Sequence, residues 1–458
     1  MNRIGLRAGV AREVISPPRG IYLIGYGDRT KGNAGIHDDL TATALLLDDG
    51  RERLALVACD LLCLNEFVVD RVRAQVGEGT QVVVCCSHTH AGPIAYADRS
   101  SSRARRVYIA NLVERIVRAV RRAGSALVPV ELAWCQAEAD IAVNRREKRP
   151  GGDVVIGVNP EGPVDRSVGV LTVRAKEPPS VSGGVAGDAP LATVVNFACH
   201  GTVLGPDNLL VSADWIGAMR TRVEGALGGL AMFLQGATGD LNPDHEWGEG
   251  DPWEAVRSLG ERVADRVIGA CEAETPPRFE GDRGGSDLSP LAGVPLALGR
   301  QEVWLPLEAR ATTPTPPLAY RQVLLKVTGL PSFLPFVVDP LLNRRYPWRS
   351  RVEAREGVWH VPLRINAVRI GDLGLVTFGA ETLTEIGMAV KAGSPAAHTM
   401  FISVSDGCIG YLPTAGAHAE GGYEVDVAPF FYRYPARLSS GCAQIATDAA
   451  TRVLRGLW

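Results

Sequence analysis

Four runs along the chain are apolar at nearly every position: residues 82–86 (VVVCC), 191–198 (LATVVNFA), 374–378 (GLVTF) and 400–404 (MFISV). They are uncharged and rich in small and β-branched side chains. Such runs predict strands buried on both faces. Elsewhere the apolar positions return with helical spacing. Residues 105–123 place Ile109, Leu112, Ile116 and Val120 near one face, 215–227 follow a Ser-Ala-Asp start, and 253–272 follow Asp251-Pro252. Residues 382–392 and 438–457 also read as helices. Strands alternating with helices predict an α/β fold, and short connections between several strands predict mixed β-sheets.

The residues just past each strand matter more than the strands themselves. The first run breaks into Ser87-His88-Thr89-His90, and side chains two apart on an extended chain point the same way. Open α/β sheets hold ligands and catalytic groups outside the carboxyl ends of their strands. The second run ends in Cys199-His200-Gly201, the third in Gly379-Ala380-Glu381, and the fourth in a Gly-containing turn before Tyr411. Taken singly, His200 reads equally well as a packed histidine. Glu381 reads equally well as a carboxylate facing a helix N-terminus. Their recurrence after successive strands favours a metal site. Imidazoles with a carboxylate suit zinc, whereas an all-oxygen set would suit magnesium or calcium.

These residues, in this order, resemble the catalytic domain of the neutral/alkaline, non-lysosomal ceramidase family. The resemblance runs through residues 9–17 (GVAREVISP), Ile24-Gly25-Tyr26, Gly35-Ile36-His37-Asp38, 87–93 (SHTHAGP), Asn144-Arg145, 196–200 (NFACH), 212–215 (SADW), 235–243 (QGATGDLNP), 381–387 (ETLTEIG), 410–414 (GYLPT) and Tyr423-Glu424. It implies sheets layered between flanking helices. It also implies a Zn2+ cofactor with His88, His200, Glu381 and Tyr411 as metal ligands. By the same resemblance His90 contacts the substrate amide, while Arg145 and Tyr423 stabilise the developing oxyanion. A guanidinium and a phenol are donors suited to that task. The flanks differ from the family pattern at 379–382 (GAET), 144–147 (NRRE) and 424–435 (EVDVAPFFYRYP), and the match is weak over 273–359. The chain is expected to form a single catalytic domain, 1–458, without the family's C-terminal immunoglobulin-like domain.

The expected activity is a zinc-dependent hydrolase cleaving a linear amide with a metal-activated water. Gly-x-Ser-x-Gly does not occur, and no serine nucleophile is required. The same site could serve an ester or lactone, or acyl transfer. A non-catalytic binding protein would have no use for a full ligand set. The altered flanks suggest a soluble acyl amide or ester ahead of long-chain ceramide. Residues 330–342 (LPSFLPFVVDPLL), apolar but broken by prolines, are either core packing or a wall of an acyl pocket.

Composition narrows the partners. A formal charge of −3 gives no reason to expect nucleic acid. No stretch is long enough for stable membrane insertion. The segment 1–16 lacks an apolar signal-peptide core. Nine cysteines, several inside apolar runs and none in CxxC spacing, read as small buried hydrophobes of a reduced, cytoplasmic protein.

Overall fold

The apolar runs fold as strands because both of their faces are covered. The computed structural model describes residues 5–27, 29–95, 102–177, 189–248, 250–273, 295–308, 351–432 and 434–458. Eight strands form the larger sheet: β1 (Arg7–Val14), β2 (Thr41–Asp48), β3 (Arg53–Cys59), β4 (Gln81–Cys86), β5 (Val128–Glu138), β6 (Ser167–Ala175), β7 (Ala192–Phe197) and β8 (Leu230–Gln235). Their order is β8-β7-β6-β5-β1-β2-β3-β4. The β3–β4 and β7–β8 pairs are parallel and the rest antiparallel, so the sheet is mixed as expected. The second sheet runs β9 (Leu296–Pro306), β10 (Val358–Ile370), β11 (Leu373–Phe378), β12 (His398–Ile402), with Glu353–Arg355 also paired to β10.

Period-two alternation builds the layers. Along β2, Ala44 and Leu46 meet helices α1 (Glu66–Val76) and α2 (Arg103–Ser125). Leu45 and Leu47 face Val368, Leu375 and Met400 of the second sheet. Helices α3 (Asp214–Leu227) and α4 (Pro252–Glu272) cover β5 to β8 on the same outer face. Helices α5 (Thr384–Ala392) and α6 (Cys442–Arg455) cover the second sheet from the far side. Each fully buried leucine between the sheets contributes roughly 1.5–3 kcal/mol. A charge at Leu45, which is 0% exposed, would separate them. The helix starts follow local chemistry: Ser102 accepts from Arg105 N, and Asp251 caps a helix opened by Pro252.

The edge strands β4 and β8 do not pair, so the larger sheet stays open. Its curl nevertheless brings their carboxyl ends together. Gln235, closing β8, donates Nε2 to Ser87 O (3.0 Å) and Cys199 O (2.8 Å). The turn after β12 stitches the two sheets. Val404 N donates to Ala380 O (3.0 Å), Cys86 N to Val404 O (3.2 Å), and Asp406 N to Val84 O (2.8 Å). Val404 sits at φ 51°, a left-handed conformation that β-branched residues strongly disfavour. No helix among the described residues is long and apolar enough to cross a membrane. Residues 330–342, expected to pack on the core or line a pocket, lie outside the described residues.

Candidate metal centre

Two small parallel pairings assemble the site. A bridge between Thr89 and Gly201 sets His88 beside His200, with ring centroids 4.8 Å apart. Glu381 and Tyr411 are register partners in a two-residue ladder, so their side chains emerge side by side. The first pair extends β4 and β7; the second lies beyond β11 and β12. His88 itself takes φ 63°, which turns its ring out of the strand's alternation. The spatial convergence of His88, His200, Glu381 and Tyr411 therefore has a backbone cause.

Backbone carbonyls orient the imidazoles. His88 Nδ1 lies 2.8 Å from Leu62 O, and His200 Nδ1 lies 2.7 Å from Leu241 O. A carbonyl only accepts, so each Nδ1 carries a proton and each Nε2 faces the site. His88 Nε2 is 3.2 Å from Glu381 Oε2, and His200 Nε2 is 3.8 Å from the same oxygen. Two acceptors this close need a cation between them, either a proton or a metal ion. The donor set fits a metal. His88, His90 and His200 also place ring nitrogens within 4.8 Å of one another. All three are buried, and His90 Nδ1, His90 Nε2 and His200 Nε2 have no hydrogen-bond partner among the described residues. Burial pushes His200 down to about 4, with Arg145 adding to the effect. Burial with His88 and His200 alongside lowers His90 as well. Burial opposes the charge of Glu381, but the facing His88 and His200 hold its carboxyl well below the usual range.

His90 is enclosed by aromatic and cationic neighbours. Its ring centroid is 5.0 Å from Tyr26, whose ring meets Trp247 edge-on at 5.3 Å. Arg29 donates to His90 O and also to Gly205 O (3.1 Å). Gly25, at φ 117°, lets the chain pass over the imidazole: a Cβ there would stand 2.5 Å from His90 Nδ1. This gives the Ile24-Gly25-Tyr26 segment a physical reason.

Arg145 and Tyr423 both reach this region. Arg145 is buried; it donates Nη2 to Tyr411 OH (3.1 Å), Nη1 to Asn242 Oδ1 (3.2 Å) and Nε to Glu424 Oε1 (2.9 Å). Burial works against its charge, and the facing Tyr411 and Glu424 more than restore it. Tyr423 opens a π-helical turn, Tyr423–Val427, with its ring 5.7 Å from Tyr411 and 5.8 Å from the Arg145 guanidinium. Sequence reasoning missed Glu424, which joins Arg145 to Arg146 (Nη1–Oε2 2.7 Å), and Tyr432, which donates to Glu381 Oε1. The charge run around Arg145 otherwise reads as a solvated face, so burial of two of its arginines was the missing clue. Segment 235–243 proves to be a supporting frame. Besides Gln235 and Leu241 O, Asp240 accepts from Thr384 N (2.8 Å) and Asn144 Nδ2 (3.1 Å). A groove of about 910 Å³ between α3 and α4 is lined by none of these predicted site residues.

The fold and its likenesses agree. Over 249 residues, 48% of the chain, it is 26% identical to a neutral ceramidase of Mycobacterium tuberculosis. The chain spans only 38% of that relative's length. The neutral ceramidase of Pseudomonas aeruginosa superposes with a TM-score of 0.72 at 20% identity, covering 99% of this chain and 74% of that one. A ceramidase complexed with C2 gives 0.71 at 19% identity, covering 99% and 75%. At such identities the solved structures speak for the fold, and they share the mixed-sheet α/β architecture expected from the sequence. Residues 7–250 match the N-terminal region that defines neutral/alkaline non-lysosomal ceramidases, and over that half of its length the chain belongs to this family.

Proposed function

We propose that the protein is a zinc-dependent amide hydrolase acting on ceramide-class N-acyl amides. The observation that carries this reading is the approach of His88 Nε2 and His200 Nε2 to one carboxylate oxygen of Glu381, beneath a buried His90 whose ring nitrogens lack protein partners among the described residues. His88, His200, Glu381 and Tyr411 would hold the ion. When bound, zinc supplies a Lewis acid and acidifies water. The remaining chemistry belongs to the chain. His90, kept neutral by burial, can accept a proton and deliver it to the leaving amine. Arg145 has N–H groups beyond the three already engaged, and with the Tyr423 phenol it can donate to the carbonyl oxygen as charge grows there.

Family membership argues for ceramide ahead of the soluble acyl amide suggested by the altered flanks. The proposal takes 1–458 as one catalytic unit, because the site draws its groups from the ends of both sheets. A cytoplasmic setting goes with it. All nine cysteines are free thiols, and burial pushes those of Cys59, Cys86 and Cys199 up, keeping them inert.

The test is metal content together with amine release from a short-chain ceramide, run beside an ester analogue. About one zinc per chain is expected, with amine released, and His200→Ala should lose both together. A folded protein that takes up no zinc and releases no amine would refute the proposal. Turnover of the ester alone would move it to ester hydrolysis.

A further inference from the structure

We propose that Tyr432 is a positioning residue that commits Glu381 to one-oxygen ligation, an inference that rests on the metal-site reading above. Its hydroxyl donates to Glu381 Oε1, while Oε2 faces His88 and His200. An unheld carboxylate rotates and can offer either oxygen, or both, to a cation. With Oε1 already accepting a phenol proton, Oε2 is the favoured oxygen for the ion.

The surroundings hold that phenol in place. Tyr432 stacks beside Tyr434 with centroids 6.2 Å apart and planes at 21°, and Tyr434 OH is itself tied to Ile409 O (2.9 Å). The Tyr432 ring lies against Gly410, where a Cβ would come within 2.6 Å of ring carbons. Gly410 O also accepts from Glu381 N (2.8 Å). One glycine thus fixes the backbone of the carboxylate and leaves room for the ring that holds its side chain. Glycine alone suits this place, since its φ is 84°. On the far side of the hydroxyl, Cys408 Sγ lies 3.9 Å away, a weak partner that does not compete with a carboxylate.

Zinc affinity by chelator competition and the visible spectrum of the Co(II)-loaded protein test the idea on three full-length proteins: wild type, Tyr432→Phe and Tyr108→Phe. Tyr432→Phe should weaken zinc binding by about 10–100-fold, the usual cost of losing a ligand's supporting hydrogen bond. Its Co(II) bands should also lose intensity, as a freed carboxylate raises the coordination number. Tyr108→Phe removes a buried phenol elsewhere in the fold, one that donates to Ile15 O (3.0 Å), and it should leave affinity and spectrum unchanged. If wild type binds one metal and Tyr432→Phe matches it in both readouts, the positioning role is overturned and the metal site stands. Equal losses in both variants would mean general loosening and would also overturn it. If wild type binds neither metal, the metal-site reading itself fails.

Discussion

Replacing Glu424 by glutamine isolates the buried charge network behind the site. Glu424 is 2% exposed, and its two oxygens take Arg145 Nε at 2.9 Å and Arg146 Nη1 at 2.7 Å. Glutamine keeps the volume but presents an amide donor to one guanidinium and removes the negative charge that balances two buried cations. Breaking a buried pair in this way typically costs about 3–5 kcal/mol. Arg146 retains Gly421 O (2.8 Å) and Arg145 retains Asn242 and Tyr411, so the lower end, about 3 kcal/mol, is expected here. Loss of the bond to Nε also loosens the aim of the Arg145 guanidinium, and turnover should fall on the order of tenfold or more. Guanidinium denaturation of the metal-free proteins gives the first quantity and amine release the second. A double-mutant cycle with Arg146→Met then separates the pair's coupling from truncation effects. A Glu424→Gln protein within about 0.5 kcal/mol of wild type, the range of an ordinary surface change, would show that the two arginines do not depend on this carboxylate.

Arg145→Ala and Tyr423→Phe should keep their zinc and lose turnover by roughly a hundredfold, and a kinetically normal variant would remove that residue from the oxyanion role. Gly410→Ala, strained at φ 84° and pressed on the Tyr432 ring, should destabilise the protein by about 1–3 kcal/mol and weaken metal binding, both read by denaturation and chelator competition. Asp214 makes a pH prediction. Burial lifts its carboxyl to about 6 from 3.8, although the backbone amides of Leu204, Trp215 and Val203 pull the other way. Between those values the native state binds a proton that the unfolded chain does not, so this group's contribution is fullest below 3.8 and is lost as pH rises through about 6. The stability of wild type relative to Asp214→Asn should therefore fall by on the order of 3 kcal/mol from about pH 4 to 7 in urea titrations, and a flat or rising difference would contradict it.

Legibility from sequence tracked the range of the interactions. Local periodicity sufficed for Arg103–Ser125, Pro252–Glu272 and the four apolar strands, because burial on one helical stripe or on both strand faces is written into neighbouring residues. His88, His200 and Glu381 were readable because each comes directly after such a strand. Tyr432 and Glu424 were not. Their partners, Glu381 and the Arg145-Arg146 pair, lie 51 and 278–279 positions away, and only tertiary packing decides that they meet. The left-handed turns at His88 and Val404 were equally hidden, since histidine adopts that conformation only occasionally and a β-branched valine hardly ever.

The stitch at Val404 has a kinetic consequence. It joins the end of the His88 strand to the segment leading into Glu381, groups separated by 293 positions in the chain. The loop-closure entropy for such a contact must be spent before any ligand atom is in place, which makes the site a late product of folding. An ion that recognises only the finished arrangement cannot guide the search for it. Excess zinc should therefore leave the refolding rate almost untouched and act on the reverse reaction, slowing unfolding in proportion to the stability it adds.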